Sequence, residues 1–188
     1  LPINDLTAAT NLLNVFQPDL LMGFGYAIEA LGRILTGTSY SKKVRGLYFF
    51  GERTSSLRLK LIQTYFPNAD LLFDYASVDA QTSVALSCLT QIKRKTTFVH
   101  PIPEYVYVEI VDPETNRVIT DTKTPGELVL TTLRETAFPL IRYKTGDLAQ
   151  IVSHHCDCGT ATPLLEILGR SEGNKVRFRG GEIHLSEI

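Results

Sequence analysis

The sequence lacks a surplus of either charge. Lysine and arginine number 19 against 20 aspartates and glutamates, a formal net charge of −1. That balance offers no basic face to a nucleic acid, and no block of like charge marks a disordered tail. No apolar run approaches the roughly 20 residues a membrane-spanning helix needs, so no membrane partner is expected. The N-terminus, LPINDLTAAT, has neither the basic start nor the apolar centre of a signal peptide. It also lacks an initiator methionine, so the chain reads as a piece of a longer protein. Cysteine is scarce and odd in number, three in 188 residues. A secreted disulfide framework uses an even number, so the thiols are expected to be reduced, in a cytoplasmic protein, or bound to a metal. No internal repeat and no low-complexity linker interrupts the chain. The apolar share, 44%, is that of an ordinary globular chain, one domain or two small ones.

The first part alternates helix and strand. NDLTAATNLLNVFQ predicts an amphipathic helix with Leu6, Leu13 and Phe16 among its apolar positions. PDLLMGF predicts a short buried strand, GYAIEALGRIL a helix carrying Ile28, Leu31 and Leu35, and VRGLYFF a second strand ending at Gly51. SLRLKLIQTYF predicts a helix with Leu57, Leu61 and Phe66 as its apolar positions, and DLLFDY a third strand. This order favours a parallel sheet with right-handed crossovers, in which ligands bind at the carboxyl ends of strands. Gly51-Glu52 and Asp74-Tyr75 stand at two such ends. After about residue 80 the pattern becomes alternating. EYVYVEIVD, GELVLTTL, PLIRY, LAQIV and LLEIL read as strands separated by turn residues, an antiparallel array forming a small barrel or curled sheet. The fold class is therefore α/β followed by all-β.

Three constellations carry chemistry. FFGE and FDYASVD close short strands; a glycine there lets a flat ligand approach the backbone and a tyrosine can stack on it, although ordinary turn chemistry explains each singly. PLIRYKTGD places Asp147 after Gly146 at a tight turn, either a hairpin corner with solvated charges or a carboxylate fixed for a ligand. Such an aspartate can accept both hydroxyls of a ribose, and Arg170 can meet a phosphate or a ribose oxygen. Cys156-Asp157-Cys158-Gly159 is a thiolate pair on a turn, with Cys88 and His100 upstream. Those four side chains are the Cys₃His set that tetrahedral zinc accepts. Free thiols explain them as well, and His154 and His155 are alternatives to His100.

In their order, GELVLTTL, PLIRYKTGD, LGR and RGGEIHLSEI resemble the rear half of adenylate-forming enzymes, nearest to the phenylacetate–CoA ligase type. PDLLMGFGYAIEALGRI, YFFGE and DYASVD resemble that family's upstream stretches, so the likeness runs from about Asp19 to the end. It implies a fragment of the large N-terminal domain: residues 1–85 an α/β subdomain, 86–170 an antiparallel β subdomain, 171–188 a hinge and the start of a C-terminal domain. Such enzymes join a carboxylic acid to the α-phosphate of ATP, and a thiol, usually that of CoA, then takes the acyl group, with Mg²⁺ balancing phosphate charge. By position, Gly51, Glu52 and Tyr75 would line the adenine and acyl pockets, with Asp74 and Ala76 also on the nucleotide side. Asp147 would hold the ribose, Arg170 would support ribose or phosphate, and Glu172 would take the hinge. Relatives with a cysteine and a histidine before the same C-x-C-G imply a closed, structural Zn²⁺ on Cys88, His100, Cys156 and Cys158.

The chain departs from the family at YGxTE, here Tyr75-Ala76-Ser77-Val78-Asp79. Ala76 adds a methyl where the ligand approaches, Val78 replaces a hydroxyl, and Asp79, on the magnesium and phosphate side, is shorter than the usual glutamate. The tail from Gly169 to its RG pair is also longer than usual. Neither the family's phosphate loop nor its lysine-bearing C-terminal domain is present, so turnover by the chain alone is not expected. A catalytically degenerate adenylate-binding or zinc-stabilised interaction module, or an acyl-protein synthetase with a protein thiol as acceptor, are the alternatives. Phe49, Phe50 and Tyr75 as a pocket floor would suit an aryl or medium apolar acid. An open sheet edge near the N-terminus would favour a homodimer.

Overall fold

The computed structural model describes residues 6–134, 137–171, 175–178 and 181–184. Helix α1 (Leu6–Phe16), strand β1 (Leu20–Gly23), helix α2 (Gly25–Leu35), strand β2 (Gly46–Phe49), helix α3 (Ser56–Tyr65) and strand β3 (Asp70–Ser77) follow in that order. β1, β2 and β3 pair in parallel, with Leu20 opposite Gly46 and Gly46 opposite Asp70. The expected β-α-β-α-β unit is thus present. Leu21, Ile28, Leu35, Leu47, Phe49, Ile62, Phe66 and Leu71 form its buried core.

The third strand outruns the DLLFDY segment. β3 continues to Ser77, and after a turn through residues 78–81 the chain returns antiparallel as β4 (Thr82–Leu86). A short helix α4 (Leu89–Arg94) leads to β5 (His100–Pro101), which pairs with β4. The sheet is therefore five-stranded and mixed, in the order β1-β2-β3-β4-β5, and it extends past residue 85. The apolar packing divides earlier: Ala80, Val84 and Ala85 belong to the second core, while Phe73 packs against both.

Two faces differ from expectation. In α3 the buried residues are Leu59 and Ile62, while Leu57 is 77% exposed. The helix carries two apolar stripes, Leu57 with Leu61 and Leu59 with Ile62, and docking against α2 and the sheet selects the second. Ser55 starts this helix, its side chain accepting from Arg58 N. β1 is an edge strand with only Leu21 buried; Leu20 and Met22, like Phe16 on α1, are exposed.

The second sheet is antiparallel, in the order β6-β7-β8-β9, from Val106–Val111, Gly126–Thr132, Tyr143–Ser153 and Leu164–Arg170. PLIRY and LAQIV are not two strands around a KTGD turn. Pro139 and Leu140 precede the strand, and β8 runs from Tyr143 through KTGD to Ser153. What marks KTGD is a bulge. Glu127 pairs with Leu148 and Val129 with Lys144, so residues 145–147 stand opposite Leu128 alone. Gly146, at φ +74°, takes the left-handed conformation that this bulge requires. Thr145 Oγ1 donates to Leu128 O across it at 2.8 Å. Beyond β9, β10 (Lys175–Phe178) and β11 (Gly181–His184) form a two-stranded ribbon. Glu172, the expected hinge residue, lies outside the described residues.

Candidate nucleotide site and thiolate cluster

The ends of β2 and β3 meet the β8 bulge and the end of β9 around a cavity of about 370 Å³. Gly51, Glu52, Asp74, Tyr75, Ala76, Asp147 and Arg170, the residues placed on the nucleotide side, all line it. Phe49, Phe73, Val99 and Ile167 supply apolar wall. Phe50 does not: its ring lies 5.2 Å from that of Phe24, and it faces a groove beside α1 and β1. Successive residues of an extended segment point to opposite faces, so Phe49 and Phe50 cannot share one floor.

Asp147 is held from two sides. Tyr75 Oη donates to its Oδ2 at 2.6 Å, and Arg170 Nε lies 3.1 Å from its Oδ1. Arg170, its register partner on β9, also donates to Thr145 O at 3.4 Å. Burial, followed by the hydrogen bond to Asp147, pushes the Tyr75 phenol well above the ordinary tyrosine range. Asp74 Oδ2 accepts from Tyr48 Oη at 2.7 Å and from Ser83 Oγ at 2.9 Å. Its Oδ1 is buried with no hydrogen-bond partner among the described residues, an acceptor that a ligand N–H would satisfy.

Asp79 stands apart. It sits exposed on the β3–β4 turn, accepts from Tyr143 Oη at 2.9 Å, and does not line the cavity. Magnesium takes most of its shell from substrate phosphates and water, and the cavity wall brings no carboxylate cluster to Asp79. The residues present do not by themselves make a magnesium site.

The thiolate cluster forms where the two sheets abut. Cys88 precedes α4, His100 is in β5, and Cys156 and Cys158 lie in the β8–β9 connection. Their ligand atoms all fall within 4.8 Å of one another. Cys88 Sγ lies 3.8 Å from Cys156 Sγ, and Cys158 Sγ lies 3.6 Å from His100 Nε2. His100 Nδ1 faces the carbonyls of Thr162 and Pro163 at 3.0 and 3.1 Å. Two acceptors there call for a proton on Nδ1, which leaves the Nε2 lone pair toward the thiols, the arrangement a metal-binding imidazole uses. Burial opposes ionisation of Cys156, but the Cys158 N–H, His100 and the Gln91 amide outweigh it and bring the thiol down to about 6. His154 and His155 are exposed and outside the cluster, His154 Nε2 lying 2.8 Å from Thr120 O. The donor set and its hydrogen-bonded imidazole fit a tetrahedral zinc ion.

Sequence reasoning does not single out Ser83, Gln91 and Tyr143 as hydrogen-bond partners, or Arg53 as part of the cavity wall. Ser83 and Gln91 lie outside the motifs, and Tyr143, although within PLIRYKTGD, reads as strand; only proximity reveals their roles. Arg53 directly follows Gly51-Glu52, and that adjacency was its signal in the sequence.

No family model matches the chain. The phenylacetate–coenzyme A ligase of Pseudomonas putida is 30% identical over 184 residues, 94% of this chain and 39% of that protein. That of Escherichia coli K12 is 29% identical over 185 residues, 94% and 40% of the respective chains. Over nearly its whole length the chain is thus similar to phenylacetate–CoA ligases. It spans about two fifths of the length of these relatives. Among solved structures, 2-hydroxyisobutyryl-CoA ligase in its postadenylation state, in complex with R3-HIB-AMP, superposes with a TM-score of 0.79 at 20% identity. That match covers 97% of this chain and 39% of the neighbour, so the two share a fold. Among the described residues no helix is long and apolar enough to cross a membrane.

Proposed function

We propose that this chain supplies the adenylate-binding cavity of an ATP-dependent acid–CoA ligase. Such an enzyme forms an acyl-AMP from a carboxylic acid and transfers the acyl group to the thiol of CoA. One observation carries the reading: Asp147, fixed by Tyr75 and Arg170, lines a cavity closed on its other side by the ends of β2 and β3. A carboxylate has about four lone-pair positions. Tyr75 and Arg170 occupy two, leaving two for the 2′- and 3′-hydroxyls of a ribose. Asp74 Oδ1 offers an acceptor to an exocyclic amine of the base, and the Tyr75 ring offers it a face.

In the first half-reaction a carboxylate oxygen attacks the α-phosphorus and the bond to pyrophosphate breaks. In the second the CoA sulfur attacks the acyl carbon and AMP leaves. The residues described here orient the nucleoside for both steps and shield it from water, and Phe49, Phe73 and Tyr75 favour an aryl acid. Magnesium carried in on the phosphates of ATP would neutralise their charge. Zinc on Cys88, His100, Cys156 and Cys158 would be structural, since four protein ligands leave no open position. It would join β5 to the β8–β9 connection, in a protein of the cytoplasm where thiolates persist.

Titration calorimetry with sulfamoyl adenosine and its phenylacetyl derivative, a stable acyl-adenylate mimic, tests the reading. The acylated compound is expected to bind at least about tenfold more tightly, because it fills the apolar wall. Asp147→Asn should weaken both. A folded chain that binds neither compound contradicts the assignment.

A further inference from the structure

Five charged side chains line the cavity: Glu52, Asp74, Asp147, Arg53 and Arg170. Three negative against two positive groups leave a formal charge of −1 on a wall meant for an anionic nucleotide. The commitments of these groups differ. Arg170 is paired with Asp147, Asp74 accepts from Tyr48 and Ser83, and Glu52 Oε1 accepts from Tyr26 N at 3.3 Å. Arg53 alone among them makes no ion pair and no side-chain hydrogen bond with the described residues. Its stem lies over Gly169, whose added Cβ would stand 3.9 Å from Arg53 Cδ. Gly169 directly precedes Arg170, so the stem that carries the uncommitted guanidinium runs beside the end of β9, where Arg170 meets Asp147.

We propose that Arg53 receives the 5′-phosphate of the nucleotide in this cavity. The inference rests on the adenylate reading and adds to it the group that recognises the anion. A ribose held on Asp147 carries its phosphate one carbon beyond the ring. Of the two cations that line the cavity, the one not already neutralised by a carboxylate is Arg53, whose planar fork suits two phosphate oxygens. Arg170, paired with Asp147, would position the sugar instead.

The test compares adenosine with AMP by titration calorimetry on the wild-type chain, Arg53→Gln and Arg53→Lys, at low and high ionic strength. Arg53 is exposed, so both variants should fold, which circular dichroism and the melting temperature verify. The expected result is that Arg53→Gln weakens AMP about tenfold and adenosine less than about twofold. Arg53→Lys should recover part of the loss, and the wild-type preference for AMP should shrink with salt. Two outcomes overturn the inference while leaving the adenylate reading in place: equal losses for both ligands, or unchanged AMP affinity in Arg53→Gln. A wild-type chain that binds neither adenosine nor AMP overturns both together.

Discussion

Tyr75 Oη donates to Asp147 Oδ2 at 2.6 Å, and this hydrogen bond joins β3 of the first sheet to β8 of the second. A second tyrosine–aspartate contact, Tyr143 to Asp79 at 2.9 Å, runs between the same strands' neighbourhoods in the opposite sense. Together they clamp the two sheets on either side of the KTGD bulge. Tyr75→Phe removes the donor and little volume. It is expected to cost about 2 kcal/mol, as for a hydrogen bond to a charged group, measured as a lower urea midpoint. An unchanged midpoint would show that the contact does not hold the sheets together.

The bulge itself should be costly to alter. Gly146→Ala puts a side chain at φ +74° and is expected to destabilise by about 1–2 kcal/mol. Gly146 O accepts from both Ser171 N and Ser171 Oγ, so strain there also reaches the end of β9. Adenosine affinity should fall with stability. A variant that keeps full stability and full affinity would show that the left-handed residue is dispensable.

Metal content should follow the geometry of the thiolate cluster. Native mass spectrometry is expected to find about one zinc per chain, and a strong chelator should lower the melting temperature by about 10 °C or more. Cys158→Ser should lose the metal and His155→Ala should keep it. Equal zinc retention by both variants would rule out the Cys₃His assignment.

Alkaline pH should unfold the chain through its tyrosines. Burial holds Tyr40 and Tyr48 up to about 12, the latter helped by Asp74, and Tyr75 shifts the same way. A raised folded-state value means the contribution is whole below the unfolded value near 10 and is lost as pH rises through about 12. Urea midpoints should therefore drop between about pH 10 and 12, as tyrosinate absorbance appears. Tyr48→Phe should soften that drop; an identical profile would show that Tyr48 is not part of it.

The inward face of α3 can be checked with a pair of variants. Ile62→Ala, at a fully buried position, is expected to cost about 2–5 kcal/mol. Leu57→Ala, at 77% exposure, should stay within about 0.5 kcal/mol. Comparable losses would restore the Leu57 and Leu61 face.

Local pattern made several parts of the chain legible. Helical and alternating periodicities reveal α1, α2, α3 and the parallel β1–β3 unit, because they follow from backbone geometry alone. The residue types at the cavity were legible as well: a glycine that takes positive φ, a carboxylate beside it, an arginine, three thiols and a histidine. Chemistry depends on such types wherever the chain places them.

Other features depended on neighbours distant in sequence. A lone glycine between charges reads equally as a turn or a bulge, and only pairing with β7 made KTGD part of a continuous strand. The stripe of α3 that is buried depended on α2 and the sheet. The choice of His100 over His154 and His155 depended on β5 lying against the β8–β9 connection. Asp79 was drawn to Tyr143 and away from the cavity, while Arg53 was left without a carboxylate partner. Sequence by itself determined the elements and the donor chemistry available, since both are local properties of the chain. Tertiary structure decided which faces are buried and which charges are paired, since burial and pairing energies depend on distances through space.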